Sequence, residues 1–165
     1  MALADEGLIG GAGLSNHPIE LMERALTVGP IAVVQHQHSL LSRDADRDGV
    51  PDWCALHGIP FLAWSPLASG FLADGFDLDA LDAADLRRGL RWATGADAIS
   101  VRSIRAVLGE IAHDRACAIA AVALSWVTSR SGRHAILGAR SPAEVDVVRS
   151  LPELQPHELE RLERA

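Results

Sequence analysis

A parallel α/β sheet is the fold class this sequence predicts, and three observations carry it. Short apolar runs of strand length alternate with longer stretches of helical spacing. The first three of those runs are near-continuously apolar or small rather than alternating, as strands buried on both faces are. No low-complexity linker interrupts the alternation, so residues 1–165 read as one domain.

The first strand candidate is LIGGAG, Leu8 to Gly13, followed by Ser15-Asn16-His17-Pro18. Ser15 or Asn16 is placed to cap a helix with Pro18 in its first turn and Leu21, Met22, Ala25 and Leu26 as its apolar face. The second strand is IAVVQHQ, Ile31 to Gln37; a polar loop, SRDADRDG, leads to a helical segment around Trp53, Cys54 and Leu56. The third is IPFLAW, Ile59 to Trp64. An insert follows whose Leu78, Leu81, Leu86 and Leu90 fit one or two short amphipathic helices. Two helical patterns, Val101 to His113 and Cys117 to Val127, precede the fourth strand, His134 to Gly138. Helices from Pro142 to about Arg149 and from Pro156 to Arg164 close the chain.

Composition removes several classes of function. The net charge is −7 and no basic run is present, which argues against a nucleic-acid partner. The apolar runs fall short of the roughly 18 residues that cross a bilayer. The start, MALADEGLIGG, has no basic n-region of a secretory signal. Cys54 and Cys117 show neither metal-ligand nor disulfide spacing, and a buried thiol in a cytoplasmic protein is the expectation.

Four motifs give a resemblance. GAGLSNHPIELMERAL, VVQHQHSLLSRDAD, HGIPFLAWSPLASGFLADGFD and ILGARSPAEV, in that order and spacing, resemble the carboxyl-terminal half of the aldo-keto reductases. The resemblance runs from about Gly7 to the end of the chain. It implies half of a TIM-type (β/α) barrel, strands five to eight plus a C-terminal helix, with NADP(H) bound at the carboxyl ends of the strands. Ser15, Asn16 and Gln35 match residues that hydrogen-bond the nicotinamide carboxamide, which needs both a donor and an acceptor. Trp64 matches the aromatic on which the nicotinamide ring stacks. Ser65, Leu67, Ser69 and Gly70 match the pyrophosphate loop. Gly138, Arg140 and Ser141 match the adenosine end, where a guanidinium clamps a 2′-phosphate, and Glu144 joins them at a position where the family usually has glutamine. At that end Val147 and Val148 replace a Glu-Asn pair of the family, which weakens the expected hold on adenine.

The family's proton-delivering tyrosine, lysine, aspartate and histidine belong to the other half of its barrel. This chain contains no tyrosine, and all 15 of its basic residues are arginine. Reduction of a small carbonyl compound is therefore expected only with a completing chain, because positioned acid–base help is worth about 10²–10⁴-fold. An open half-barrel also leaves two sheet edges and an uncovered inner face. A homodimer, or a complementary half-barrel chain, is the expected remedy.

Two alternatives stand beside this reading. Histidines at or near the strand ends, His17, His36 and especially His38, would serve a redox-neutral dehydration, isomerisation or cyclisation of a carbonyl compound. A non-catalytic partner subunit is the other. Asp44, Asp46 and Asp48 precede Gly49 in a calcium-like spacing, but Ala55 stands where the loop's last ligand belongs, so no metal site is expected.

Overall fold

The computed structural model describes residues 2–165. Four strands, β1 (Gly13–Ser15), β2 (Val33–Gln37), β3 (Phe61–Trp64) and β4 (Arg133–Ile136), form one sheet in the order β1-β2-β3-β4. Every neighbouring pair is parallel. Sequential order with helical crossovers is the arrangement of a barrel wall, here over four strands.

The helices are α1 (Ala2–Asp5), α2 (Ile19–Leu26), α3 (Asp44–Arg47), α4 (Val50–His57), α5 (Gly95–Asp114), α6 (Ile119–Thr128), α7 (Pro142–Asp146) and α8 (Pro156–Arg164). Helix α4 stops because Gly58 takes a left-handed φ of 65°, letting the Ile59 N–H return to the Cys54 carbonyl at 2.9 Å. The apolar helix α6 is buried from Ala120 to Val127. Helix α8 is tied to the end of α5 by a two-pronged grip of Arg115 on Glu158, at 2.7 and 2.5 Å. That guanidinium holds the Glu158 carboxyl below its usual range.

Two expectations are corrected. The first strand does not occupy Leu8 to Gly13; it starts at Gly13, and Leu8 is 68% exposed. The Ala32 N–H donates to the Ala12 carbonyl at 2.8 Å, but Pro30, two residues upstream, has no N–H with which to continue the ladder. The glycines of this stretch serve close approach instead. A Cβ on Gly13 would lie 2.8 Å from the Val33 carbonyl oxygen, and one on Gly11 would lie 2.6 Å from Ala32 Cβ.

The insert forms no α-helix. It holds 3₁₀ turns at Leu86–Gly89 and Arg91–Ala93, and Leu86 is 92% exposed. The carboxylates of Asp77, Asp82 and Asp85 each accept the backbone N–H two residues on, at 2.9, 2.8 and 2.9 Å. These local bonds compete with helical ones and win. Arg105 of α5 then collects the carbonyls of Phe71, Ala73 and Phe76 at 2.9, 2.8 and 2.8 Å, anchoring the irregular chain. Smaller shifts affect α5, which begins at Gly95, and β4, which begins at Arg133 and ends at Ile136.

Register divides the sheet into two faces, since paired residues point the same way. Leu14, Val34, His36, Phe61, Ala63, Arg133 and Ala135 share one face. Val34, Phe61 and Ala63 there are fully buried in the core beneath the helices. Gly13, Ser15, Val33, Gln35, Gln37, Leu62, Trp64, His134 and Ile136 share the other face, and none of them is buried. That open face is less apolar than expected, with serine, two glutamines and a histidine among its aliphatic and aromatic members.

Candidate functional site

The carboxyl ends of β1, β2 and β3 meet around Asn16. Its N–H donates to the Gln35 carbonyl at 2.9 Å, continuing the ladder one residue past β1. Its Oδ1 accepts from the Gln37 N–H at 3.3 Å and from the Trp64 indole N–H at 3.0 Å. Its Nδ2 donates to Ser15 Oγ at 3.2 Å. One asparagine thus joins three strand ends, and its left-handed φ of 56° is what turns the side chain inward. Gln35 lies on the same open face as Ser15 and Trp64.

After Trp64 the chain passes through left-handed values at Ser65, Ala68 and Ser69, with φ of 55°, 48° and 56°, and Gly70 at 91°. Such a run of non-glycine residues is rare and marks a conformation held from outside. Several backbone donors of this loop are bonded within it. The N–H groups of Ala68 and Gly70 return to the carbonyls of Ser65 and Leu67, both at 2.9 Å, and that of Ser69 returns to Ser65 Oγ at 3.3 Å.

Sequence reasoning passed over Arg87. Its guanidinium stands over this loop, with Nη1 3.5 Å from where a side chain on Gly70 would begin. Nε and Nη2 grip the Asp85 carboxylate at 3.0 and 2.5 Å, leaving Nη1 turned toward the loop. The same grip holds the Asp85 carboxyl down at about 2. The only signal was an arginine after an aspartate in an insert whose path no periodicity reveals.

At the end of β4, Gly138 leads to Arg140, whose side chain is 90% exposed. Ser141 Oγ caps α7 by accepting the Glu144 N–H at 3.3 Å. Glu144 reaches back to the Arg140 N–H at 2.6 Å and to its guanidinium at 3.5 Å. Val147 and Val148 follow on the same short stretch, Val148 exposed.

The three candidate histidines fall into two groups. Alternation puts His36 on the helix face, against Phe61 at 6.3 Å, with its Nε2 bonded to the His17 carbonyl at 3.1 Å. Burial lowers its pKa, partly opposed by that bond. His38, the preferred candidate, is fully buried, stacked on Trp126 at 5.2 Å and edge-on to Phe61 at 5.5 Å. Its Nε2 bonds Asp46 at 3.0 Å, and Arg133 holds the other Asp46 oxygen at 3.2 Å. Burial alone would raise the Asp46 carboxyl; the bond from His38 and the charges of His38, Arg133 and Arg43 outweigh it and hold it at about 2. Both histidines therefore belong to the helix side and face away from Gln35 and Trp64. The ring of His17 is exposed at the rim, where only its carbonyl is engaged.

Of the aspartates of the calcium-like spacing, Asp46 belongs to this cluster and Asp44 pairs with Arg47 at 2.9 Å. Cys54 is buried, and burial pushes its thiol up to about 11. No helix among the described residues is long and apolar enough to cross a membrane.

Known proteins share both the sequence pattern and this architecture. Over 71 residues, 43% of this chain and 21% of the relative, the sequence is 41% identical to the probable pyridoxal reductase 2 of Schizosaccharomyces pombe. The structure matches the glycerol dehydrogenase of Gluconobacter oxydans with a TM-score of 0.88 and 25% identity, covering 99% of this chain and 50% of that one. An aldo/keto reductase of Klebsiella pneumoniae, solved with NADP and acetate, matches with a TM-score of 0.70 and 28% identity, again over 99% and 50%. The chain thus spans about half the length of these solved structures and a smaller share of the curated relative. The sequence model of the aldo/keto reductase family matches residues 1–165 throughout, so the fold is half of that family's barrel and the chain belongs to the aldo/keto reductase family.

Proposed function

We propose that this chain supplies the dinucleotide-holding half of a carbonyl-reducing site that takes a nicotinamide dinucleotide, NADP(H) or its unphosphorylated form, the proton donor coming from a second half-barrel. The observation that carries the reading is the bond between Asn16 Oδ1 and the Trp64 indole N–H, which fixes an amide and a ring platform side by side on the open face. Gln35 offers a donor and an acceptor and Asn16 its second Nδ2 hydrogen to a carboxamide, with Ser15 beside them. Trp64, half-buried, offers a flat face to the nicotinamide. Ser65, Leu67, Ser69 and Gly70, with Arg87 above them, form the pyrophosphate end, and Gly138, Arg140, Ser141 and Glu144 the adenosine end. When bound, the dinucleotide supplies a hydride; these residues orient it and shield one of its faces.

The substrate class is a small carbonyl compound. The covering of the open face comes from a second copy of this chain or from a complementary family half; light scattering of the pure chain at twice its own mass would favour the copy. Titration with NADPH and, separately, NADH, read by quenching of tryptophan emission, should saturate with at least one of them below about 100 μM. Failure of both to saturate, or aldehyde turnover by the chain alone at rates typical of whole reductases, would overturn the reading.

A further inference from the structure

We infer that Glu144 turns the adenosine end against a 2′-phosphate, so that the dinucleotide held best is the unphosphorylated NAD(H). The inference rests on the dinucleotide reading above and sharpens it.

NADP and NAD differ by one phosphate group, which carries close to two negative charges at neutral pH. The cation available to receive it is Arg140. Its backbone N–H, however, is already taken by the Glu144 carboxylate at 2.6 Å, and its guanidinium lies 3.5 Å from the other oxygen of that carboxylate. A phosphate approaching Arg140 meets a fixed negative charge at the same point. The guanidinium is 90% exposed and pairs only weakly with Glu144, so part of that carboxylate's charge stays unneutralised beside an incoming phosphate.

The carboxylate is held at this point by the Arg140 N–H, and Ser141 Oγ holds the backbone N–H of the same residue, which fixes where its side chain starts. A carboxylate held at this point is suited to a ribose 2′-hydroxyl, which donates the proton that a phosphate lacks; acidic residues serve NAD in this way, and arginines serve NADP. The aliphatic Val147 and Val148 beyond it add no cation to compensate.

The test titrates NADH and NADPH separately into the same preparation, read by nucleotide fluorescence. The wild-type chain should bind NADH at least about tenfold more tightly. Glu144→Gln should narrow or reverse that ratio by gaining on NADPH, Glu144→Ala should do the same, and Glu20→Gln on α2 should leave it unchanged. A ratio taken on one preparation stays readable when a variant folds poorly, because both affinities then fall together. A wild-type preference for NADPH, or a ratio unmoved by either Glu144 variant, overturns the inference and leaves the dinucleotide reading standing. Binding of neither nucleotide by the wild type overturns the dinucleotide reading, and the discrimination with it.

Discussion

Neighbouring residues of the same strands meet opposite environments on the two faces of this sheet. Phe61 is fully buried beneath the helices, while Leu62, the next residue, lies on the face that no helix covers. On the covered face even the charges are locked, as the His38–Asp46–Arg133 series shows. On the open face the polar groups are arrayed outward, joined chiefly through Asn16 at the rim. One side of each strand therefore holds the fold, and the other is available to bind.

That contrast can be broken in graded steps. Phe61→Ala should cost the most, about 3–5 kcal/mol, because it empties a packed site; Leu62→Ala should cost under about 1 kcal/mol. Chemical denaturation of the two variants side by side measures the asymmetry, and equal losses would show that the open face is packed in solution. Gly13→Ala should cost about 1–3 kcal/mol through overpacking, since the added carbon would press on the Val33 carbonyl.

Asp46→Asn should cost about 1 kcal/mol at neutral pH, the stabilisation being screened because the group is only half-buried. Its folded-state pKa of about 2 lies below the ordinary 3.8, so it contributes stability above pH 4 that is lost as pH falls toward 2. Thermal melts between pH 2 and 5 should show a shallower acid slope in the variant. Trp64→Phe should have the smallest structural effect, lowering the melting temperature by no more than a few degrees. It keeps a ring but loses the bond to Asn16, so NADPH binding should weaken a few-fold, as neutral hydrogen bonds contribute about 1 kcal/mol.

How far the sequence was legible depended on what spoke locally. Strands β2 and β3 showed as apolar runs, and the family pattern carried the half-barrel. The residues grouped at the rim, Asn16, Gln35 and Trp64, were named from that pattern, but the bond joining Asn16 to Trp64 spans 48 positions and leaves no local trace. Three failures have distinct causes. The first strand was placed too early because Leu8 and Ile9 are apolar, whereas Pro30 on the partner chain segment decides where pairing starts. The leucine spacing in the insert suggested helices, but aspartates capturing nearby N–H groups prevailed. The third concerns His38: alternation from Gln35 turns His36 to the helices, and His38, set beyond the strand end, follows it there.

Arg105 grips main-chain oxygens of the insert, those of Phe71, Ala73 and Phe76, and its guanidinium also lies over the Phe76 ring at 5.3 Å. At Ala73 such an anchor is indifferent to the side chain, whereas Phe71 and Phe76 are held by their rings as well. Exposed positions of the insert, such as Leu86, are thus free to be rewritten during evolution without loosening the wall beneath them.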